Sequence, residues 1–238
     1  MADPPVLETA DLHTYYGRAH ILSGVSLAVP RHSVVALIGR NGAGKSTTMK
    51  SIMGLIPETR GAIRFEGRDV AGWPTHEIAR AGLGYVPEDR RIFTDLTVME
   101  NLEVGRRAPR PGVPAWTAER LYEIFPNLAE MRHRRGDRMS GGEQQMLTIA
   151  RTLMGNPSCI LLDEPSEGLA PVIVEQMCNA ILRLKREGLS VLLSEQNLHV
   201  ARMVSDGAYI IEKGQIRYGG TMARLSADDA LMHQYLAV

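Results

Sequence analysis

The feature that most limits the fold of this 238-residue chain is a glycine-rich run that follows an apolar segment. Residues 39–47 read Gly-Arg-Asn-Gly-Ala-Gly-Lys-Ser-Thr and contain every fixed position of the pattern G-x-x-x-x-G-K-[ST]. Residues 33–38 before them, Ser-Val-Val-Ala-Leu-Ile, are typical of a buried strand. A glycine-rich turn that arose by chance is the alternative, but four specified positions in the order strand, loop and helix favour a phosphate loop.

This loop is suited to hold a nucleoside triphosphate. Gly42 and Gly44 let the backbone N–H groups turn inward around an anion, and the helix that starts at Lys45 adds the positive end of its dipole. The Lys45 ammonium reaches the β- and γ-phosphates, and the Ser46 hydroxyl is a ligand for Mg²⁺. The predicted nucleotide contacts are Gly39, Arg40, Asn41, Gly42, Ala43, Gly44, Lys45, Ser46 and Thr47.

Composition argues against several classes of protein. The chain has 27 Lys and Arg against 27 Asp and Glu, so no net charge draws it to nucleic acid. We interpret its densest basic run, residues 132–138, as a solvated face rather than a binding patch. Two cysteines are too few for a disulfide framework, and no apolar run approaches the ~18 residues of a membrane span. We therefore expect a cytosolic chain that contacts no nucleic acid.

The pattern along the chain predicts one α/β domain with an inserted helical block. Short runs rich in β-branched residues predict strands at 25–29, 62–65, 190–193, 208–212 and 215–218, the last two joined by a turn at Lys213-Gly214. Helical periodicity predicts helices at 97–104, 117–125, 141–154 and from 171 to about 184. We expect a core formed by about 1–86 and 158–238, and a helical subdomain over about 87–157.

Two acidic residues end a further apolar strand. Residues 158–164 read Ser-Cys-Ile-Leu-Leu-Asp-Glu, and burial of the strand explains the aliphatic residues but not the two carboxylates. Asp163 is suited to orient the ligands of Mg²⁺, and Glu164 to accept a proton from the water that attacks the γ-phosphate. A surface turn that carries acids is the alternative. It is the weaker one, because the phosphate loop needs such partners.

A second anion-facing helix start is predicted at Ser140, Gly141, Gly142 and Glu143. Ser140 is suited to cap the helix, and the two glycines leave backbone N–H groups bare. Simple capping explains Ser140 but not two glycines in a first turn, where they cost helix stability. One chain cannot easily bring both helix starts to the same γ-phosphate. The motif therefore predicts a composite site that two chains share.

Together the phosphate loop, Ser140-Gly-Gly-Glu-Gln144 and Asp163-Glu164 resemble the ATP-binding subunit of an ATP-binding cassette (ABC) transporter. Four finer stretches are similar to the LivF-type subunit of bacterial branched-chain amino acid importers: 85–91, 139–146, 167–171 and 194–197. The resemblance implies ATP and Mg²⁺, and a P-loop NTPase (RecA-like) core with an inserted α-helical subdomain and an antiparallel β subdomain. It also places Tyr16 where the family stacks an aromatic ring on adenine. The residue alone leaves such stacking and packing within a strand equally open.

Beside Glu143 and Ala170, which stand where Gln and Asp are common, two departures from the wider family concern catalytic positions. Glu88 stands where most members carry Gln, and Gln196 where most carry His, and both departures resemble the LivF branch. Glu88 can still meet Mg²⁺ or water, whereas Gln196 cannot hold a proton as His does. Slow ATP hydrolysis at this chain's own phosphate loop is therefore an alternative that stays open. The resemblance implies Glu164, Lys45, Gln196 and Glu88 as catalytic residues, and Ser46, Asp163 and Glu88 as metal ligands.

The resemblance implies a motor ATPase on the cytoplasmic side of the inner membrane. Its partners would be a second ATP-binding subunit of LivG type or a second copy of itself, a pair of membrane permease subunits, and indirectly an extracytoplasmic receptor. The permease is expected to dock near residues 88–93 and the middle helices. Two other hypotheses stay open: an ATP-binding and assembly subunit of low turnover, which Gln196 motivates, and a soluble ABC ATPase that acts away from membranes.

Overall fold

In the computed structural model, which describes residues 3–112 and 115–236, the chain builds two β-sheets with helices around them. The larger sheet has the order β10-β9-β3-β8-β7-β6. Its strands are β3 (Val34–Ile38), β6 (Leu83–Val86), β7 (Cys159–Asp163), β8 (Ser190–Glu195), β9 (Gly207–Glu212) and β10 (Gln215–Thr221). The neighbours from β9 to β6 pair in parallel, and β10 pairs antiparallel with β9. This is the α/β arrangement that the phosphate loop predicts.

The carboxyl ends of the central strands meet at one edge of this sheet. Ile38 at the end of β3 pairs with Glu195 at the end of β8, and Asp163 at the end of β7 pairs with Ser194. In open parallel sheets, ligand sites lie beyond the carboxyl ends of the strands. The edge therefore brings together the phosphate loop and the acidic residues that the sequence placed far apart.

The central strands are buried on both faces, and their alternate side chains enter two different cores. Ile160 and Leu162 of β7 pack with the helices of the inserted block, whereas Cys159 and Leu161 pack toward the smaller sheet. Side chains alternate in this way because successive residues of a strand point to opposite faces. The apolar runs lack a polar alternation for the same reason.

The smaller sheet is antiparallel, as the resemblance predicted, but the sequence revealed only part of it. Its order is β2-β1-β4-β5, with β1 (Leu7–Tyr16), β2 (Ala19–Val29), β4 (Thr59–Phe65) and β5 (Arg68–Asp69). The predicted strands 25–29 and 62–65 are the ends of β2 and β4, and β1 was missed. Register shifts at Thr9, Leu12 and Thr14 interrupt the alternation of β1, and Asp11 has a φ of 51°. Such irregularities break the period of two on which strand prediction depends.

The helices described are α1 (Lys45–Ile52), α2 (Thr75–Ala81), α3 (Val98–Gly105), α4 (Ala118–Ile124), α5 (Pro126–Glu130), α6 (Gly141–Leu153), α7 (Pro171–Arg186), α8 (Leu198–Val204), α9 (Met222–Ser226) and α10 (Asp229–Leu236). The bounds of α3, α4, α6 and α7 agree closely with the prediction, and α1 starts at Lys45 as predicted, whereas no bounds were predicted for the other five. Helices α3 to α6 lie between β6 and β7 in the chain. The turn at Lys213 and Gly214 has φ angles of 48° and 74°, which confirms the predicted hairpin.

Two further expectations concern cysteines and membranes. Cys159 is buried in β7 and Cys178 in α7, and both are free thiols. Burial raises the pKa of the Cys159 thiol, so it packs as a small apolar group. Over the described ranges 3–112 and 115–236, the helices are too short or too polar to cross a membrane.

Candidate functional site

The phosphate loop has the backbone that its glycines predict. Gly42 and Gly44 have φ angles of 76° and 113°, in the left-handed region that favours glycine. At Gly44 the space is also restricted, because an added Cβ would lie 2.8 Å from Cδ2 of Leu22 in β2. At the start of the loop, the N–H of Gly39 donates to the backbone carbonyl of Glu195 at 3.4 Å. The loop is thus fixed between β2 and β8.

Lys45 extends back across this loop and is almost fully buried. Its Nζ donates to the carbonyl oxygens of Gly39 and Arg40, at 2.7 and 3.0 Å. It also forms an ion pair of 3.0 Å with Oε1 of Glu164. A buried charge must be paired to offset its desolvation, and these three oxygens do so. The Lys45 ammonium group therefore contacts the carboxylate of Glu164, which was predicted from the sequence to be the base.

Asp163 collects three hydroxyl groups. Its Oδ1 accepts hydrogen bonds from Oγ of Ser46 at 3.0 Å and from Oγ of Ser194 at 2.9 Å, and its Oδ2 accepts one from the Tyr85 hydroxyl at 3.2 Å. Burial, together with the negative charge of Asp163, raises the pKa of Tyr85, so its phenol stays a donor. Asp163 is 1 % exposed, and these bonds satisfy it.

The Ser46 and Asp163 oxygens fit a Mg²⁺ site. A hydroxyl and a carboxylate are the hard ligands that this ion prefers, and Mg²⁺ usually takes its other ligands from phosphates and water. Within the described residues, no group of three or more His, Cys, Asp or Glu side chains could hold a metal ion. Two converging protein oxygens agree with an ion that arrives with its nucleotide.

Glu164 lies between Lys45 and Gln196. Its Oε2 accepts a hydrogen bond of 2.7 Å from Nε2 of Gln196, while its Oε1 pairs with Lys45. Burial alone would raise the pKa of Glu164, but the hydrogen bonds from Gln196 and Lys45 and the charge of Lys45 outweigh it and hold the pKa below its usual value. Its φ of 46° is a left-handed conformation that costs a non-glycine residue energy. The carboxylate is ionised and aimed by a strained backbone.

Glu167 adjoins Glu164, and Glu88 in turn adjoins Glu167. The hydrogen bond between Glu167 and Glu164, with burial and the charges of Glu164 and Glu88, raises the pKa of Glu167. Glu88 is exposed and lines a cavity of about 230 Å³ with Tyr85 and Asp163. The structure therefore places Glu88 at the rim of the cluster. We call Lys45, Ser46, Asp163, Glu164 and Gln196 the phosphate-loop cluster.

The four residues Ser140–Glu143, here called the helix tip, form the start of α6. The Ser140 side chain accepts from the Glu143 N–H at 3.4 Å, and the Glu143 carboxylate accepts from the Ser140 N–H at 2.6 Å. This is a reciprocal capping box. Ser140 is exposed and Gly142 is buried, so the tip presents its Ser140 end at the surface of the chain.

The two glycines of the helix tip have different neighbours. The Arg90 guanidinium lies over Gly141, in space that a Cβ would fill. At Gly142 a Cβ would lie 2.7 Å from Cγ2 of Ile173 in α7. Close packing is therefore a second reason for Gly142, beside the bare N–H groups that the sequence suggested. No local pattern indicates this contact, because Ile173 lies 31 positions away in the chain.

The remaining candidates lie at the edges of the site. Tyr16 ends β1 with 50 % of its surface exposed, so its ring is not packed within the strand. His199, three residues after Gln196, is an exposed residue of α8. Sequence reasoning missed the roles of Tyr85 and Ser194 beside Asp163. A usable signal existed for Ser194, because it directly follows the predicted apolar strand 190–193, as Asp163 follows its own apolar run.

Comparisons with known proteins agree with this geometry. The model of the family described as ABC transporter matches residues 22–167, which include the phosphate loop, the helix tip and Asp163-Glu164. Among curated proteins, the chain is 43 % identical to BraG of Pseudomonas aeruginosa, a high-affinity branched-chain amino acid transport ATP-binding protein, over 94 % of this chain and 96 % of that protein.

Other relatives point in more than one direction. LptB of Haemophilus influenzae, a lipopolysaccharide export system ATP-binding protein, is 35 % identical over 97 % of each chain. LivF of Archaeoglobus fulgidus, a probable branched-chain amino acid transport ATP-binding protein, is 33 % identical over 96 % of this chain and 95 % of that protein. A solved nucleotide-free ATP-binding cassette from an ABC transporter superposes with a TM-score of 0.82 at 27 % identity, over 98 % of this chain and 99 % of that one.

Proposed function

The chain belongs to the ABC transporter family as an ATP-hydrolysing, ATP-binding subunit, and from this premise we propose that it powers import of branched-chain or related amino acids through a membrane permease. The observation that carries the proposal is that the buried Glu164 carboxylate contacts both the buried Lys45 and the exposed Gln196, at distances of 3.0 and 2.7 Å. This contact supplies an ionised base beside the loop that holds the triphosphate. The similarity to BraG supports the class of transported molecule.

In the proposed mechanism, Glu164 accepts a proton from the water that attacks the γ-phosphate. Its lowered pKa keeps the carboxylate free of a proton at neutral pH, and Gln196 fixes the direction of the carboxylate. Lys45 leaves its pairing with Glu164 to meet the phosphates, which frees one carboxylate oxygen for water. A bound Mg²⁺, held by Ser46 and Asp163 with Glu88 at the rim, would neutralise phosphate charge.

The proposed active unit contains two chains. Ser140 is exposed at the start of the helix tip, while Arg90 lies over Gly141 and Ile173 packs against Gly142. Helix N-termini bind anions through their N–H groups and dipole. The tip of one chain would therefore complete the phosphate site of its partner, which is a second copy or a LivG-type subunit. Closure on ATP and reopening after hydrolysis would drive the permease.

The proposed permease contact lies beside the loop that carries Glu88. Apolar side chains near this loop are unusually exposed, with Phe93 at 48 %, Leu55 at 47 % and Met99 at 47 %. Leu55 lines a groove of about 710 Å³ that runs past Tyr85 and Arg151. Exposed apolar patches of this kind mark interaction surfaces. This dock would place the chain at the cytoplasmic face of the membrane, as a peripheral subunit bound to the permease. The receptor would contact the same permease from the other side of the membrane.

Replacement of the base tests the assignment of the site. We expect Glu164→Gln to lower kcat for ATP hydrolysis by about 100-fold or more, because general base catalysis contributes ~10²–10⁴-fold, and to leave ATP affinity close to wild type. Glu130→Gln is the matched control, since Glu130 is an exposed residue of α5. Wild-type turnover in the Glu164 variant would refute the role of this carboxylate.

The similarity to LptB supports a second candidate, which is export of lipopolysaccharide. Deletion of the gene and measurement of labelled leucine uptake separates the two. Loss of uptake that wild-type protein restores, but Glu164→Gln does not, supports import. Normal uptake with a defect in surface lipopolysaccharide supports export instead. Copurification of the tagged chain with permease subunits also tests the membrane role against a soluble ATPase.

A low-turnover assembly role, motivated by Gln196, has its own test. The phosphate-loop lysines of this chain and of its partner are replaced one at a time, and ATP hydrolysis by each complex is measured. If loss of Lys45 leaves most of the turnover in place, this chain's site serves binding and assembly.

A further inference from the structure

Glu195 is a buried carboxyl group that the proposed mechanism does not use. It is 2 % exposed and ends β8. It stands between Ser194, which donates to Asp163, and Gln196, which donates to Glu164. Burial of a carboxyl group costs free energy unless its oxygens are hydrogen-bonded, so the partners of Glu195 indicate what the group is for.

Three segments of the site converge on this one residue. Its Oε1 accepts the backbone N–H of Ser166 at 3.3 Å, in the loop that follows Glu164, and its Oε2 accepts the backbone N–H of Asn197 at 3.4 Å, in the turn that follows Gln196. Its own carbonyl oxygen accepts the N–H of Gly39 at 3.4 Å. Glu195 therefore joins the phosphate loop to the segments that carry Glu164 and Gln196.

We propose that the Glu195 carboxylate is a positioning residue for ATP hydrolysis, which holds the loop after Glu164 and the turn after Gln196 so that these two side chains meet. The inference rests on the roles proposed above for Glu164 and Gln196. Glu195 touches neither of their side chains in the contacts described. It acts on them through the backbone on either side.

The ionised form of Glu195 is the one that can do this. Each oxygen accepts a backbone N–H, and a protonated carboxyl group would turn one oxygen into a donor that faces another donor. Burial, with a smaller effect from the negative charge of Glu164, raises the pKa of Glu195 to about 7, although the hydrogen bonds from Ser166 and Asn197 oppose the shift. The contact therefore weakens as the pH falls through neutrality.

The other ionisable groups around Glu195 do not replace this effect. Glu164, at the end of β7, is ionised and paired with Lys45 of α1. Cys178 faces Glu195 from α7, and burial, together with the charge of Glu195, raises the pKa of this thiol to about 11. The thiol is therefore neutral throughout the range in which Glu195 titrates.

The test is the pH dependence of ATP hydrolysis by the full-length chain in its complex at saturating ATP. A group with a pKa of about 7 is roughly eightfold more ionised at pH 7.5 than at pH 6.0, so we expect wild-type kcat to rise by a factor of that order while KM changes little. We expect Glu195→Gln to have a kcat about tenfold lower at pH 7.5, since small misplacements of reacting groups cost such factors, and to lose this rise.

Controls separate positioning from general effects of charge. Glu175→Gln makes the same chemical change at an exposed position of α7 and is expected to keep the wild-type profile. Phosphate groups of ATP titrate near the same pH, so the decisive quantity is the ratio of wild-type to Glu195→Gln kcat across the range. A ratio that does not change between pH 6.0 and 7.5 would overturn the inference.

A measurement without catalysis checks the premise on ionisation. Burial raises the pKa of Glu195 in the folded chain, so folding favours its protonated form over its ionised form. This contribution to the free energy of unfolding is present at low pH and is lost as the pH rises through about 7. We expect the Tm of wild type, relative to that of Glu195→Gln, to fall between pH 5 and pH 8. A constant difference would overturn the inference even if the variant were inactive. If Glu164→Gln retains turnover, the site proposal itself fails, and the two failures are thus distinguishable.

Discussion

The phosphate-loop cluster and the helix tip are proposed to serve the same ligand, yet their polar groups are satisfied in opposite ways. In the cluster, Lys45 and Asp163 are 3 % and 1 % exposed, and their partners come from distant parts of the chain. At the tip, Ser140 is exposed and its cap comes from Glu143, three residues away. The cluster is built by the fold as a whole, whereas the tip is built by one turn of helix.

Under the proposed function, this difference separates what one chain does alone from what requires its partner. The groups of a buried network stay paired because an unpaired buried charge is costly. Breaking a buried ion pair by removal of one partner costs about 3 kcal/mol or more. A self-capped helix end on the surface needs no partner to form, and it keeps its remaining N–H groups available. The first arrangement suits a site that must bind nucleotide in a single chain, and the second suits one that acts only on contact.

The largest expected effect is loss of Lys45, which would break the cluster. Lys45→Met leaves the Glu164 carboxylate and the carbonyls of Gly39 and Arg40 without their common donor. We expect ATP affinity to fall roughly 10- to 100-fold, because a hydrogen bond to a charged group is worth ~1.5–3 kcal/mol. Equilibrium binding of a fluorescent ATP analogue measures it. Unchanged affinity would show that the loop backbone alone holds the triphosphate.

A side chain at Gly142 is expected to damage the tip and spare the cluster. Gly142→Ala places a Cβ 2.7 Å from Cγ2 of Ile173, closer than two such carbons can pack, so the start of α6 or the Ile173 side chain must shift. We expect kcat to fall by about tenfold, because small misplacements of reacting groups cost factors of this order. ATP affinity is expected to stay unchanged.

A second substitution makes this prediction sharper. Ile173→Ala removes the branched side chain from the contact, so the double variant Gly142→Ala with Ile173→Ala is expected to recover most of the lost turnover. Reduced ATP affinity in the single variant would mean that the tip and the cluster are not independent in one chain.

The smallest effect concerns the cap itself, and the chain contains its own control. Helices α3 and α6 both start with a capping box, formed by Thr97 and Glu100 in α3 and by Ser140 and Glu143 in α6. Loss of a cap costs ~1 kcal/mol, so Thr97→Ala and Ser140→Ala are expected to lower the free energy of unfolding by similar amounts. Only Ser140→Ala is expected to weaken ATP-dependent association of the two chains, measured by analytical ultracentrifugation. Equal effects on association would remove the special role of the tip.

The same contrast explains what the sequence could predict. Local signals were sufficient for the turn at Lys213-Gly214, for the cap at Ser140 and for the glycine conformations of the phosphate loop, because neighbouring residues decide each of them. The strand β1 was missed because the bulge near Asp11 removes its period of two. Its place in the sheet is fixed by pairing with β2 and β4, which no local pattern records.

At the site, residue types were predictable and contacts were not. Lys45 and Glu164 were selected from two motifs, but their ion pair joins positions 119 residues apart. The contacts of Tyr85 and Ser194 with Asp163 depend on the register of β6, β7 and β8. Glu195 gave no signal, because a lone acid at the end of an apolar run also fits a surface turn.

The division of the central strands between two cores has a consequence for how such a chain can diverge. Single replacements in β7 disturb one core at a time, so the two halves can drift separately. Gain or loss of one residue within Cys159–Asp163 would instead exchange all inward side chains between the cores and carry Asp163 and Glu164 out of register with Ser194 and Ser46. A change of length within Cys159–Asp163 is therefore expected to be far more disruptive than one in a connecting loop.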